Sequence, residues 1–466
     1  MKQRKSWNGL RRLITIAGDV VLFNISVLVA FYLRFGTAIP VRNFETFERS
    51  GIYISLLFLV VNFLLGAYVY YNRRVSDIIF ITVLGQMMTI LGLTMITFIG
   101  RLFAFPRSVL ALSFLSSVLI LGVWRVFVFY MYLHFTDDQH VAVVSPESEL
   151  PAVIQNFNSV KNNKHRVTYV ITNHFVENVE DIMDKVDIFY LTKGVGDDVR
   201  RAIIDSVLKH GKHIMLPSTF DNILMLRPNL MNFEDESVMG ITDFQIPPER
   251  DFAKRVFDIV VAILMLIVAS PFMIITAILV KVTSPGPIIY RQKRITKNQR
   301  EFEIYKFRTM RNDAEKKSGP MLATANDARV TTVGKYLRKL RLDELPQIFN
   351  VLKGDMSIVG PRPERPFFVD QFNAEEPHYY LRHNVRAGIT GYAQVYGKYA
   401  SDYHSKLKFD LLYIKCYSLT LDAKILLQTI KILFDKVSSA GVDEAEEPSP
   451  SNMHRIVAEN EIKHLG

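Results

Sequence analysis

"KRVFDIVVAILMLIVASPFMIITAILVK" occupies residues 254–281, and how it meets a membrane decides where everything after it lies. Its apolar part, 256–281, is long enough to span a hydrocarbon core of about 30 Å as a helix. Two features argue against a crossing. Lys254, Arg255 and Lys281 put positive charge on both flanks, whereas a spanning helix keeps most of its lysine and arginine on one side. Ser270-Pro271 falls mid-run, where proline removes a backbone hydrogen bond and crowds the preceding turn. The serine hydroxyl beside it can satisfy a freed carbonyl. The expectation is a re-entrant helix over 256–281, broken at Ser270-Pro271, that dips into one leaflet and returns. A kinked transmembrane helix is the alternative, and it puts residues 282–466 on the far side.

Upstream, four apolar stretches lie near 13–33, 51–71, 78–103 and 108–133. Each has about the 20 residues a membrane-spanning helix needs, so 1–136 reads as a four-helix transmembrane bundle. No small-residue cleavage site follows the first stretch and three more spans succeed it, so no cleavable signal peptide is expected. Lys2, Arg4, Lys5, Arg11 and Arg12 precede the first span, and Arg73 and Arg74 separate the second from the third. The positive-inside bias makes those loops cytoplasmic and returns the chain to the cytoplasm near residue 135. Arg125, deep in the fourth span, either snorkels or faces the bundle interior.

Residues 137–248 change character. Short β-branched runs ("HVAVVS", "VTYVIT", "DIFYLT", "HIMLPS") alternate with helical patterns such as "DDVRRAIIDSVLKHG". That alternation predicts a parallel α/β, Rossmann-like middle domain. Its first strand runs into "SPESELPAV", which has no glycine to let a pyrophosphate approach the backbone, so a bound dinucleotide is not expected.

The net charge of +10 suits anionic lipid, an anionic substrate or nucleic acid. Nucleic acid is disfavoured, because no binding fold or base-stacking pattern accompanies the charge and much of it flanks membrane segments. Cys416 is the single cysteine, which excludes an intrachain disulfide and a cysteine metal cluster.

Most polar motifs fall after residue 282. "RKLRLDELPQIFN" (338–350) sets Asp343 and Glu344 between a basic run and Pro346. Proline is tolerated only in a first helical turn, so a helix is expected to start at about Asp343, where free backbone N–H groups favour an anion. One carboxylate could attack phosphorus and its neighbour hold a magnesium ion. A plain helix cap with a first-turn glutamate explains the same pair without chemistry. "YKFRTM" (305–310) and "GPRPERP" (360–366) add Lys306, Arg308, Arg362 and Arg365, side chains suited to phosphate oxygens. "RAGITGYAQVYGKY" (386–399) adds glycines for close approach to a ligand, and Tyr392 and Tyr396 for stacking. The run "SLTLDAKILLQTIKILFDKV" is amphipathic and suits either the membrane interface or the domain core. Residues 438–466 read as a polar, mobile tail.

Taken together, "KRVFDIVVAILMLIVASPF", "SPGPIIYRQKRI", "FEIYKFRTM", "DARVTTVGKYLRKLRLDELPQIFNVLKGDMSIVGPRPE", "VRAGITGYAQV" and "KLKFDLLYIKCYSLTLDAKIL" resemble the bacterial polyprenyl-phosphate sugar-1-phosphate transferases, in their large monotopic form. The resemblance is dense over 252–437 and looser upstream. It implies a mostly α monotopic catalytic domain at 249–437 and a covalent mechanism. Asp343 takes the sugar phosphate from a UDP-sugar and releases UMP, and undecaprenyl phosphate collects it. Glu344 becomes a ligand of magnesium. Arg308, Arg362 and Arg365 fall near the donor phosphates, with Lys306 and Arg329 added as candidate phosphate binders. Ser270-Pro271 matches the helix break. UDP-glucose or UDP-galactose is the favoured donor. The product would begin an exopolysaccharide or capsule repeat unit at the cytoplasmic face of the bacterial inner membrane.

Thr296, Gln299, Ala328, Ala387, Tyr392 and Tyr396 depart from common residues of that pattern, which touches loop geometry and sugar preference rather than the dyad. The middle domain leaves a homodimer open. The rival reading from another class is a membrane-anchored sensor or scaffold with a non-catalytic C-terminal domain.

Overall fold

A computed structural model describes residues 2–71, 73–99, 106–158, 164–310, 329–397 and 402–433. The chain is mostly helical, with small sheets, and divides into two compact units, 1–217 and 218–447. Ala328 and the proposed tail lie outside the described residues.

The first unit opens with four long helices, α1 (Lys2–Phe35), α2 (Val41–Leu64), α3 (Val75–Ile99) and α4 (Arg107–Phe135). All are long and apolar enough to cross a membrane. Phe23, Val27, Phe58 and Leu121 form their shared core, with Phe23 and Phe58 stacked at 4.4 Å, while Leu13, Leu119 and Val123 face outward. Outward-facing leucine and valine on such helices fit a lipid surround. Arg125 settles inside. Its guanidinium donates to Asp19 of α1 (Nε to Oδ2, 2.9 Å), Asn62 of α2 (2.9 Å) and Thr82 of α3 (3.4 Å), and it is 2% exposed. One buried side chain thus ties four helices, and its charge is matched by Asp19.

The rest of this unit is an α/β segment: β1 (Gln139–Val144), α5 (Leu150–Asn158), β2 (His165–Ile171), α6 (Phe175–Asp181), β3 (Ile188–Leu191), α7 (Asp197–Lys209) and β4 (His213–Met215). Its four strands lie parallel in the order β2-β1-β3-β4. Val141–Val144 are fully buried, as a strand covered on both faces requires. The order reverses between β1 and β3, where such sheets open a crevice at their C-terminal ends. Here the segments that follow β1 and β3 touch each other. Glu149 accepts the Gly194 N–H at 3.1 Å, and a Cβ on Gly194 would stand 2.6 Å from the Pro146 side chain.

In the second unit, α8 (Phe220–Leu224) and the hairpin β5 (Asn229–Phe233)–β6 (Glu236–Gly240) precede α9 (Pro248–Thr283). Residues 218–247, which the sequence pattern attaches to the α/β segment, pack downstream instead: Ile223, Phe244 and Ile246 belong to the second unit's core. The helix α9 runs unbroken through Ser270-Pro271, so the expected break is a proline-bearing turn inside one helix, with Ser270 Oγ donating to the Ile267 carbonyl at 3.0 Å. Lys254, Asp258, Ala262, Ala269, Thr276 and Val280 form its buried stripe, while Ile267 and Val268 are 65% and 71% exposed.

Beyond α9 come the antiparallel pair β7 (Ile289–Ile295) and β8 (Glu301–Phe307), α10 (Thr332–Lys339), α11 (Gln347–Lys353), β9 (Met356–Val359), α12 (Pro366–Glu375), β10 (Ala387–Thr390), α13 (Tyr392–Tyr396), α14 (Tyr403–Lys415) and α15 (Leu419–Leu433). The short strands β9 and β10 pair in parallel at the centre. The amphipathic α15 resolves toward the core, burying Asp422, Ile425 and Leu427.

Candidate active site

Alternation along β8 buries Phe302 and Ile304 and exposes Glu301 and Glu303, which carries Lys306 to the inward face with Phe302 and Ile304. The next approach is made by α10. Thr331 caps it by accepting the Gly334 N–H at 3.0 Å, and Gly334 lies so near the Thr309 carbonyl that a Cβ would stand 2.2 Å away. Arg338 of α10 donates to the Thr309 hydroxyl at 2.9 Å.

The dyad follows in a tight turn. Arg341 adopts the left-handed region at φ 56°, which costs a non-glycine residue about 1 kcal/mol. Leu342–Glu344 then form a single 3-10 turn, and α11 begins only at Gln347, after Pro346. The helix expected to start at Asp343 therefore starts four residues later, because proline sits just ahead of the first α-helical turn. Asp343 caps nothing, so the plain helix-cap explanation of the dyad does not hold.

The two acids have opposite electrostatic fates. Asp343 is 8% exposed, and its Oδ1 is buried with no hydrogen-bond partner. Burial, then the neighbouring Glu344 charge, push its carboxyl up to about 6, against the pull of Lys306, Arg338 and Arg341. Glu344 accepts from Lys306 Nζ at 3.3 Å and Arg362 Nη2 at 3.0 Å, both at Oε1. Burial opposes its ionisation, but Arg362, Lys306 and Arg341 together hold it well below the usual carboxylate range. Desolvation lowers Lys306, while the Glu344 charge raises Arg362. One carboxylate is thus a fixed anion and the other a tunable one with a free oxygen.

Of the residues singled out in sequence, Lys306, Asp343, Glu344 and Arg362 meet in one place. Arg308 does not present its charge in the same way: it is 6% exposed and donates to the Ser284 (2.6 Å) and Pro285 (2.9 Å) carbonyls, closing the end of α9. Arg365 starts α12, and its charge is felt at Arg294. Arg329 leads into α10. Ser270 and Pro271 lie mid-way along α9. Tyr392 and Tyr396 pack on each other, ring centroids 4.6 Å apart. Gly388 serves backbone packing, since a Cβ there would stand 2.1 Å from the Gly360 nitrogen.

Sequence reasoning missed Arg294, Arg338, Arg341 and Gln347. The first lines a cavity of about 20 Å³ with Ile304, Lys306, Gln347, Arg362, Pro363 and Gly388. That volume holds a water molecule, far less than a nucleotide sugar. The basic runs "RQKRI" and "RKLR" were the available signal, but only tertiary proximity separates them from a solvated face.

A buried carboxylate with a free oxygen, beside a second one fixed by two cations, is a setting that suits phosphoryl chemistry. A family model described as bacterial sugar transferase matches residues 249–436. A UDP-N-acetylgalactosamine-undecaprenyl-phosphate N-acetylgalactosaminephosphotransferase of Aeromonas hydrophila is 51% identical over 189 residues, 40% of this chain and 44% of that protein. A UDP-glucose:undecaprenyl-phosphate glucose-1-phosphate transferase of Caulobacter vibrioides is 40% identical over 190 residues, covering 39% of this chain and 70% of the relative. An undecaprenyl-phosphate galactose phosphotransferase of Salmonella typhimurium is 41% identical over 197 residues, 39% of this chain and 40% of that protein. The chain thus spans less than half the length of the Aeromonas and Salmonella relatives. The matched residues run from α9 to α15, and with the Caulobacter relative 40% identical and covered over 70% of its length the chain belongs to the bacterial sugar transferase family.

Proposed function

We propose that this protein transfers a sugar 1-phosphate from a UDP-sugar to undecaprenyl phosphate through a covalent aspartyl intermediate. The observation that carries the reading is the Asp343 carboxylate, buried with Oδ1 unpartnered beside a Glu344 held by Lys306 and Arg362. With its carboxyl at about 6, Asp343 is mostly ionised at neutral pH, yet desolvated enough to be nucleophilic. An Asp343 oxygen attacks the β-phosphorus of the donor, and the bond to the bridging oxygen breaks. Its electron pair leaves on UMP. An oxygen of the lipid phosphate then attacks the aspartyl phosphate, restores the Asp343 carboxylate and yields a polyprenyl-diphosphate sugar. Arg362 and Lys306 hold the phosphates and offset charge as it builds.

The residues fit magnesium as that ion is usually held, by one or two carboxylates with substrate phosphates completing the shell. Glu344 is the first ligand in this reading. When bound, the ion neutralises phosphate oxygens. Among the described residues no cluster of three or more histidines, cysteines or acids offers an all-protein site.

A re-entrant α9 brings the lipid phosphate to this depth. Arg255 donates to the Val351 and Leu352 carbonyls, and Asp258 accepts from Ser357 and the Ile358 N–H, so the early part of α9 touches α11 and β9. Val280 packs with Phe307 and Leu337, so its late part touches the same domain. Residues 255 and 280 stand roughly 38 Å apart along a straight helix, more than the hydrocarbon core of about 30 Å. One domain gripping both parts supports both lying on one side of the membrane, which the lysines and arginines at the start of α1 put at the cytoplasmic face.

The relatives named above act on N-acetylgalactosamine, glucose and galactose donors, and this sets the panel. In detergent with magnesium and undecaprenyl phosphate, one of UDP-glucose, UDP-galactose and their N-acetyl forms should yield UMP and a lipid-linked sugar. UMP release from none of them would return the chain to the sensor or scaffold reading.

A further inference from the structure

The loop that carries Arg362, "GPRPERP" (360–366), is held by its carbonyls. Pro361 and Pro363 have no N–H, so the loop makes no regular ladder of its own. Four successive oxygens are taken by outside donors: Pro361 by the Gly388 N–H (2.9 Å), Arg362 by Arg382 Nη2 (3.0 Å), Pro363 by Arg294 Nη1 (3.1 Å) and Glu364 by the Ile295 N–H (3.0 Å). The Arg362 carbonyl is the one taken by a buried cation.

Arg382 is 4% exposed, and all three of its nitrogens are engaged. Nε and Nη2 reach Asp410 Oδ2 at 2.9 and 2.8 Å, and Nη1 donates to the Tyr379 hydroxyl at 2.6 Å. A buried arginine–aspartate pair is poorly explained by stability alone, since apolar residues of similar volume often do as well. Its distinctive act is to fix one backbone oxygen at the residue whose side chain meets Glu344.

We propose that Arg382, oriented by Asp410 and Tyr379, is a positioning residue: it fixes the backbone of Arg362 and so aims that guanidinium at Glu344 and the donor phosphates. The proposal rests on the reading above that Arg362 binds those phosphates.

The test uses the full chain in detergent, with Arg382→Lys, Asp410→Asn, Arg362→Ala and the double variant Arg362→Ala/Arg382→Lys. Steady-state UMP release is measured against UDP-sugar concentration, beside the thermal unfolding midpoint. Arg382→Lys should lower kcat/KM roughly ten- to hundred-fold, mainly through KM, the scale expected when a reacting group is misplaced from a distance. In the Arg362→Ala background the same change should cost less than about twofold, because its effect passes through Arg362. A merely structural role lowers the midpoint and kcat, leaves KM unchanged, and multiplies with the loss from Arg362→Ala; that result overturns the proposal. Should Arg382→Lys fail to fold, the nearly isosteric Asp410→Asn carries the same cycle. An impaired Arg362→Ala with unimpaired Arg382 and Asp410 variants sinks the positioning role alone. Wild-type kcat/KM in Arg362→Ala sinks the phosphate role and the proposal with it.

Discussion

Asp343 and Glu344 are adjacent in sequence and opposite in chemistry, because the turn that holds them buries one without a partner and gives the other two cations. Asp343→Asn should abolish both UMP release without lipid acceptor and the hydroxylamine-labile sugar phosphate left on the protein, while the fold survives. Its pH behaviour follows from burial. The folded carboxyl titrates at about 6 against an ordinary 3.8, so between those values the folded state binds more protons and stability falls as pH rises. Asparagine escapes that loss: Asp343→Asn should be more stable than wild type above pH 6, by at most about 3 kcal/mol in the unfolding free energy, with the gap closing below pH 4. Burst UMP release should rise with pH through about 6 and then level. A flat profile across pH 5–7 would remove Asp343 as the titrating nucleophile. The dyad was legible in sequence as two acids beside basic runs. Which acid stays ionised was not, because that depends on Lys306 and Arg362, 38 residues before and 18 after Glu344.

At the scale of elements, α9 and α10 frame the site. Proline tolerates a helical φ but leaves the carbonyl four residues earlier without its donor, and Ser270 bonds Ile267 in that turn. Pro271→Ala restores that donor and should favour a straight crossing. With Cys416 replaced by serine, Arg250→Cys and Arg291→Cys should both resist a membrane-impermeant thiol reagent in intact cells. Adding Pro271→Ala should raise outside labelling at 291 in part of the population and lower transfer at least severalfold. Outside labelling at 291 alone, with Pro271 present, would refute the re-entrant reading. The Ser-Pro signal was visible in sequence, and so was the length of the run. That both parts of the helix grip one domain was not, since Val280 finds Leu337 57 positions further along the chain.

For the molecule as a whole, the first unit raises the question of a nucleotide in the α/β segment. Glu149 accepts the Gly194 N–H where the segments after β1 and β3 meet, and a carboxylate there repels the phosphate that would replace it. Full-length protein should therefore show no saturable NAD binding by calorimetry at tens of micromolar, and UMP release should be indifferent to added NAD. Stoichiometric, tight NAD binding would overturn this. The same whole-molecule view moves 218–247 out of the α/β segment, since Phe244 and Ile246 bury in the second unit.

Periodicity, length and charge bias determined by themselves that five helices are long and apolar enough for a membrane, that an α/β segment separates them, and that acids and arginines cluster late in the chain. These are local properties, readable because a helix or strand repeats within a few residues. Tertiary structure decided the rest. It turned Arg125 inward to Asp19, gave Arg308 to the end of α9, brought Lys306 and Arg362 to Glu344, and brought Arg382 to the Arg362 carbonyl. Each of these is a choice of partner for a charged group across 18 or more residues. A buried charge must find such a partner, and sequence spacing does not name it.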